Sequence, residues 1–291
     1  MKHGSLFSGI GGFDLAAEWA GWENVFHCEW NPFGQQVLKH YWPDAESFYD
    51  ITKSDFSKYE HSIDVISGGF PCQPYSTAGK RKGKNDERHL WPEMLRAIRE
   101  VAPRYVVGEN VLGLTNWNGG AVFDEVHTDL ELAGYEVAAV VIPAAAVNAP
   151  HGRDRVWFVA RRNATYAMRD GFNQRDCENE IEPSKGWFHA LNDLNAIAMH
   201  ANGTSKSGKY VGQAWKGKFN RSNRGNEFDK FQNFPTESPI CGGNDGLSKE
   251  LDGITFPKWR EESLKAYGNA IVPQVALQIF NAINEYEKLH R

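Results

Sequence analysis

Over its first 162 residues the chain alternates short apolar runs with amphipathic stretches, and this regularity limits the folds open to it more than any other feature. GSLFSG, NVFHCEW, SIDVISGGF, YVVGEN, EVAAVVIPA and RVWFVARR have the length and composition of strands. Between them, FDLAAEWAGW, PFGQQVLKHYW, PEMLRAIREVA and VFDEVHTDLELAGY read as amphipathic helices. The alternation predicts an α/β fold, a doubly wound Rossmann-like sheet with its chemistry on the loops at the strand ends. Past Arg162 the periodicity fades. The stretch from about Asn202 to Asn226 is rich in Gly, Asn, Ser and Lys, and Lys206, Lys209, Lys216, Lys218, Arg221 and Arg224 make it locally basic. A solvated loop has the same composition. Helical spacing returns behind Pro273, where Val275, Ile279, Ile283 and Tyr286 share a face, and this helix is expected to close the first domain.

With 291 residues, 41% hydrophobic and 24% charged, the chain has room for one large domain or a domain with an insert. Its formal charge of -5 announces no polyanion partner, so any nucleic-acid surface has to be a local patch. Cys28, Cys72, Cys177 and Cys241 lie far apart and match no zinc-ligand spacing. No apolar stretch is long enough to cross a bilayer and no leader is read, so a reduced, cytoplasmic protein is expected.

In FSGIGGFD, Phe7, Ser8, Gly9, Gly11 and Gly12 stand between a strand and a helix, where glycines permit a tight turn and close approach of a ligand. Glycine turns at this place are also common without a ligand. The next strand ends in Glu29 and Trp30, an acid where a doubly wound sheet receives ribose hydroxyls and a ring to cover a base. There is no GxGxxG, which favours a nucleoside cofactor without phosphates, S-adenosylmethionine. In GGFPCQPYS, Pro71 and Pro74 stiffen the backbone on both sides of Cys72, an arrangement suited to a pre-positioned nucleophile rather than to a structural thiol. Glu109 ends a further strand and faces the same crevice.

Taken in order, FSGIGG, GGFPCQPYS, GEN, APHGRDRVWFVA and YGNAIVPQVA resemble the motifs of the C5-cytosine-specific DNA methyltransferases. The resemblance spans Leu6 to about Ala160 and Gly268 to the C-terminus. It implies a catalytic and cofactor-binding domain of residues 1–162 plus 262–291 and a smaller inserted target-recognition region, 163–261. It implies Cys72 as nucleophile at cytosine C6, Glu109 on N3 and the exocyclic amine, Arg155 on O2, and Arg153 supporting nearby backbone. For S-adenosylmethionine, and its product S-adenosylhomocysteine, it implies Phe7, Ser8, Gly9, Gly11, Gly12, Glu29, Trp30, Asp50, Ile51, Pro71, Leu90, Asn269 and Ala270. No metal is implied. Ser76 and the basic loop holding Lys80, Arg81, Lys82 and Lys84 match the segment that closes over double-stranded DNA. The whole is expected to act as a cytoplasmic monomer, prokaryotic or phage-encoded, with a cognate restriction endonuclease acting separately if one accompanies it.

Two features depart from the family pattern. His151 stands where the family usually has Gln; a neutral replacement for a structural hydrogen bond is favoured over altered loop contacts. The insert is short and polar for a region that reads base edges. Two rivals stay open: a relative that methylates cytosine in transfer RNA, and a silent DNA-binding relative.

Overall fold

The computed structural model describes residues 1–71, 90–149, 151–163, 250–251, 254–255 and 259–290. Seven strands form one sheet: β1 (Lys2–Leu6), β2 (Glu23–Cys28), β3 (Glu46–Phe48), β4 (Val65–Gly69), β5 (Tyr105–Val111), β6 (Tyr135–Pro143) and β7 (Asp154–Arg162). Their order is β3-β2-β1-β4-β5-β7-β6. The chain thus winds outward from β1 in one direction and from β4 in the other, and the crevice at the carboxyl ends of β1 and β4 is the switch point where such sheets bind ligands.

Strands β1 to β5 pair in parallel, but β7 is antiparallel to both β5 and β6. A parallel crossover needs a dozen or more residues and usually a helix. The link from β6 to β7 holds only a 3-10 turn, Ala144–Val147, so the chain doubles back. This reversal brings the first residues of β7 to the same sheet edge as the last residues of β5.

The helices are α1 (Gly12–Trp19), α2 (Pro32–Tyr41), α3 (Trp91–Val101), α4 (Ala121–Leu132), α5 (Trp259–Asn269) and α6 (Pro273–Leu289). Alternating strand residues divide between two cores, as a sheet covered on both faces requires. Ile66, Val106, Phe158 and Ala160 pack with Trp91, Met94 and Ile98 of α3 and Val126 and Leu130 of α4. Val65, Tyr105, Val107, Trp157 and Val159 pack with Phe13 and Ala17 of α1 and Val275, Ile279, Phe280 and Ile283 of α6. The expected helix behind Pro273 is present, and Val275, Ile279, Ile283 and Tyr286 are all buried.

Asn284 of α6 accepts from Trp22 Nε1 at 2.8 Å, and Phe280 stacks on Trp22 with centroids 4.3 Å apart. The last helix is therefore part of the body begun by β1. The residues between 163 and 250, including the basic stretch, lie outside the described residues, and the two short strands β8 (Glu250–Leu251) and β9 (Ile254–Thr255) form a separate antiparallel pair. Among the described residues no helix is long and apolar enough to cross a membrane.

Candidate active site

At the carboxyl edge of the sheet, β4 and β5 run in register with Gly69 beside Glu109. Gly69 leads through Phe70 and Pro71 to Cys72, which itself lies outside the described residues, as do Ser76, Lys80, Arg81, Lys82 and Lys84. Glu109 is 8% exposed. The antiparallel pairing sets Glu109 opposite Trp157, and Arg155, two residues earlier on the same face of β7, reaches it: Arg155 Nε lies 2.8 Å from Glu109 Oε1. Burial pushes the Glu109 carboxyl above the ordinary carboxylate range, against the pull of Arg155 and Arg153. A carboxyl poised in this way can donate a proton at one oxygen and accept at the other.

Arg153 serves the backbone instead. With φ at 43° it turns its guanidinium to donate to the Gly268 carbonyl at 3.1 Å from both Nη1 and Nη2, and to the Ala270 carbonyl at 2.6 Å from Nη2. This ties the end of α5, where Asn269 is exposed, to the start of β7. Glu109, Arg153, Arg155, Trp157 and Ile271 line a narrow cleft there. Among the described residues, Arg153 Nε and Trp157 Nε1 are buried without a protein acceptor, so the cleft wall is rich in donors.

Asn110, to which the sequence assigned no role, donates from Nδ2 to the Phe70 carbonyl at 2.9 Å and accepts from Val111 N. It fixes the backbone two residues before Cys72. The only hint in the sequence is its place beside a strand-end acid. His151 is exposed at the turn before β7, and the hydrogen bond expected of it is not made among the described residues.

The cofactor candidates gather at the carboxyl ends of β1, β2 and β3. The turn after β1 holds three residues at positive φ, Phe7 (53°), Gly9 (58°) and Gly11 (82°), before Gly12 opens α1. Gly11 has no alternative, since a Cβ there would lie 2.2 Å from the Trp42 ring. Glu29 accepts from Gly9 N at 2.7 Å on one oxygen and from Asn31 N at 2.6 Å on the other. Burial raises its pKa and these amides oppose the rise. Gln35 Nε2 holds the Glu29 and Trp30 carbonyls, and the Trp30 ring is 72% exposed.

A carboxylate fixed at a glycine turn beside a bare indole face suits a ligand with neighbouring hydroxyls and a flat base, and S-adenosylmethionine carries both. Asp50 is engaged locally by Thr52 and Lys53, while Ile51 is buried with its carbonyl accepting from Arg96 Nη2 at 2.5 Å. Leu90 is the N-cap residue of α3, and Pro71 is half-buried at the end of the described segment. Ser8 differs from the rest. Its hydroxyl turns inward to Ser5, and the residue is 5% exposed.

A cleft of about 560 Å³ opens at the opposite, amino edge, lined among others by Arg104, Arg161, Arg162 and Glu287. Arg104 is paired there with Asp64 and Glu287, and Arg161 with Glu136. None of its lining residues is a candidate catalytic, cofactor or DNA residue of the sequence reading.

Residues 1–238 match the family model of the C-5 cytosine-specific DNA methylases. The type II methyltransferase M.Eco47II of Escherichia coli is 35% identical over 161 residues, 54% of this chain and 39% of its own length. The type II methyltransferase M.HhaI of Haemophilus parahaemolyticus is 33% identical over 159 residues, 54% of this chain and 48% of its own length. The chain thus spans less than half the length of either relative. A prophage-encoded E. coli chain, described as a DNA modification methyltransferase, has the same fold at a TM-score of 0.59, covering 99% of both chains at 18% identity. The matched region holds the glycine turn, Glu29, Cys72, Glu109, Arg153 and Arg155, and the chain belongs to the C-5 cytosine-specific DNA methylase family.

Proposed function

We propose that this protein is a DNA (cytosine-5-)-methyltransferase that uses S-adenosylmethionine to methylate C5 of a cytosine flipped out of double-stranded DNA. The observation that carries the reading is the buried Glu109, held by Arg155 in register with the glycine that leads to Cys72. Cytosine C5 is a poor nucleophile until a thiolate adds at C6. Cys72 forms the S–C6 bond, the ring electrons move toward N3, and the proton of the raised Glu109 carboxyl neutralises N3. This leaves C5 as the electron-rich end of an enamine. S-adenosylmethionine, when bound, would supply an electrophilic methyl group on a sulfonium, and C5 takes that methyl as its bond to sulfur breaks and S-adenosylhomocysteine leaves. Glu109 then recovers the N3 proton, C5 loses its own proton to solvent, and Cys72 departs as thiolate. Arg155 donates to O2 of the base, and Arg153 keeps the 268–270 link against the site.

Phe7, Ser8, Gly9, Gly11, Gly12, Glu29, Trp30, Asp50, Ile51, Pro71, Leu90, Asn269 and Ala270 are the candidate cofactor contacts, with Glu29 on the ribose and Trp30 on adenine. Ser76, Lys80, Arg81, Lys82 and Lys84 would meet DNA, with salt-sensitive affinity, and residues 163–261 would read the target sequence. A cytoplasmic monomer protecting DNA beside a restriction endonuclease, or acting for a phage, fits this chemistry. The test is covalent trapping: duplex DNA bearing 5-fluorocytosine, incubated with protein and S-adenosylmethionine, should yield a complex that Cys72→Ser cannot form. Trapping on transfer RNA alone would redirect the substrate, and no trapping on diverse DNA and RNA would overturn the reading.

A further inference from the structure

Asp14 is 0% exposed, and no charged side chain figures in its setting. Its carboxyl meets the Ser5 hydroxyl and its own backbone amide, and the Ser8 hydroxyl stands behind Ser5. Ser5 Oγ lies 2.9 Å from both Oδ1 and Oδ2 of Asp14, Ser8 Oγ lies 2.6 Å from Ser5 Oγ, and Ser8 Oγ reaches the carbonyls of Ser5 at 3.2 Å and Cys28 at 3.3 Å. Buried titratable groups on the neighbouring elements bond other partners, and His27 on β2 bonds Ser47 through Nε2. His3 on β1 bonds Asn24 and Ser67, and Glu18 on α1 bonds Trp42. Cys28 on β2 is kept a neutral thiol by burial, and Glu29 beyond it is taken by Gly9 and Asn31. From α6, apolar Val275, Ala276, Ile279 and Phe280 join the α1 core. Asn24 donates to the backbone carbonyl of Asp14, not to its carboxyl.

Counting protons decides the state of this chain of contacts. It has three gaps to fill: carboxyl to Ser5, Ser5 to Ser8, and Ser8 to the carbonyls. An ionised Asp14 leaves two hydroxyl protons for three gaps, and the contact of Ser8 with the carbonyls becomes oxygen against oxygen. A neutral Asp14 supplies the third proton.

We propose that Asp14 is a positioning residue that works in its protonated form, donating to Ser5, which donates to Ser8, which donates to the backbone of β1 and β2, so fixing the turn that holds Gly9 on Glu29. The proposal rests on the reading of that turn as the methyl-donor site. Ser8 also donates from its amide to the Cys28 carbonyl, and its carbonyl accepts from Gly11 N, so its orientation is that of the whole turn. Burial pushes Asp14 up to about 7 against the hydrogen bonds of Ser5 and its own backbone amide, so the acid and its carboxylate exchange near neutral pH. When the proton is lost the chain of donors reverses, Ser8 turns its hydrogen to Ser5, and the β2 carbonyl loses that donor.

The experiment is calorimetric titration of the full chain with S-adenosylhomocysteine from about pH 6 to pH 9, for wild type and Asp14→Asn. The asparagine amide donates to Ser5 at every pH. Wild-type affinity should fall by about tenfold as the pH rises through the Asp14 titration, and the variant should stay flat. Equal pH dependence in both, or a flat wild type, overturns the proposal. Should Asp14→Asn fail to fold, Ser8→Ala cuts the link to the turn and should bind more weakly with the pH dependence gone; a persistent dependence there is equally fatal. The infrared difference between wild type and Asp14→Asn, recorded without cofactor, should show a carboxylic-acid carbonyl band that fades as pH rises. Its absence sinks the protonated Asp14 whatever the cofactor is. A band with no binding at any pH sinks the cofactor reading, and the positioning role with it.

Discussion

In the proposed mechanism Glu109 gives a proton to one edge of a base and accepts from a neighbouring amine, and a carboxyl does both only while it is neutral. Burial raises its pKa, and Arg155 and Arg153 keep the rise in check. Such a group holds its proton above the ordinary carboxylate range and surrenders it as pH climbs. Activity that depends on the neutral form should therefore have a limb that falls with rising pH. Glu109→Gln keeps the shape and removes the transferable proton. We expect kcat and the rate of covalent trapping to drop roughly 10²- to 10⁴-fold, the falling limb to vanish, and affinity for S-adenosylhomocysteine to stay put. Loss of cofactor affinity along with rate would mean that Glu109 holds the fold of the site instead. Strand-end placement made Glu109 and Glu29 legible in the sequence. Asp14 was not, because an acid in the first turn of an amphipathic helix ordinarily meets solvent. The direction of a hydroxyl such as that of Ser8 depends on the backbone angles of a glycine turn, which no periodicity reports.

Among the elements, the turn between β1 and α1 is where backbone conformation and the proposed cofactor site coincide. Gly9 and Gly11 both sit at positive φ, yet their surroundings differ: a Cβ on Gly9 would meet nothing within 4 Å, whereas one on Gly11 would strike the Trp42 ring. Gly9→Ala carries only the left-handed backbone cost of about 1–2 kcal/mol. Gly11→Ala adds a clash that displaces Trp42 or the turn, about 1–3 kcal/mol more. Chemical denaturation should rank the two in that order, and S-adenosylhomocysteine titration should show the larger loss for Gly11→Ala. Equal effects would mean that Trp42 yields freely. Six of the seven sheet strands and most helices could be read from apolar spacing because each buries one stripe or both faces in a common core, whereas β3, three residues long at the sheet edge, shows no such run. The direction of β7 could not, since a strand buried on both faces has the same composition in either orientation. That direction brings Arg153 and Arg155 to the site, so their partners emerged only with the fold.

Across the whole molecule, α6 returns to the body that begins with β1, and the two are joined by apolar packing and by specific polar contacts. Phe280 is fully buried, stacked on Trp22 and within ring contact of Phe13 and His3. Further along α6, Glu287 Oε1 accepts from Arg104 Nη2 and Tyr105 Oη at 2.5 Å each, and Tyr286 meets Arg161. The helix therefore spans from the β1–α1 core to the amino ends of β5 and the tail of β7, and removing its central anchor leaves a cavity the flanking rings cannot fill. Phe280→Ala should cost about 3–5 kcal/mol. Native domains hold only about 5–15 kcal/mol in all, so the variant should sit near the edge of folding. At about 2–4 °C per kcal/mol for a body of this size, its melting temperature should fall by roughly 6–20 °C. Leu289, 78% exposed at the end of the same helix, is the control, and Leu289→Ala should stay within about 0.5 kcal/mol of wild type. If α6 is integral, Phe280→Ala will also lower the stability of the β1–α1 turn, and affinity for S-adenosylhomocysteine measured near the melting midpoint will fall with it. An unchanged melt would mean that α6 docks on a core already complete without it.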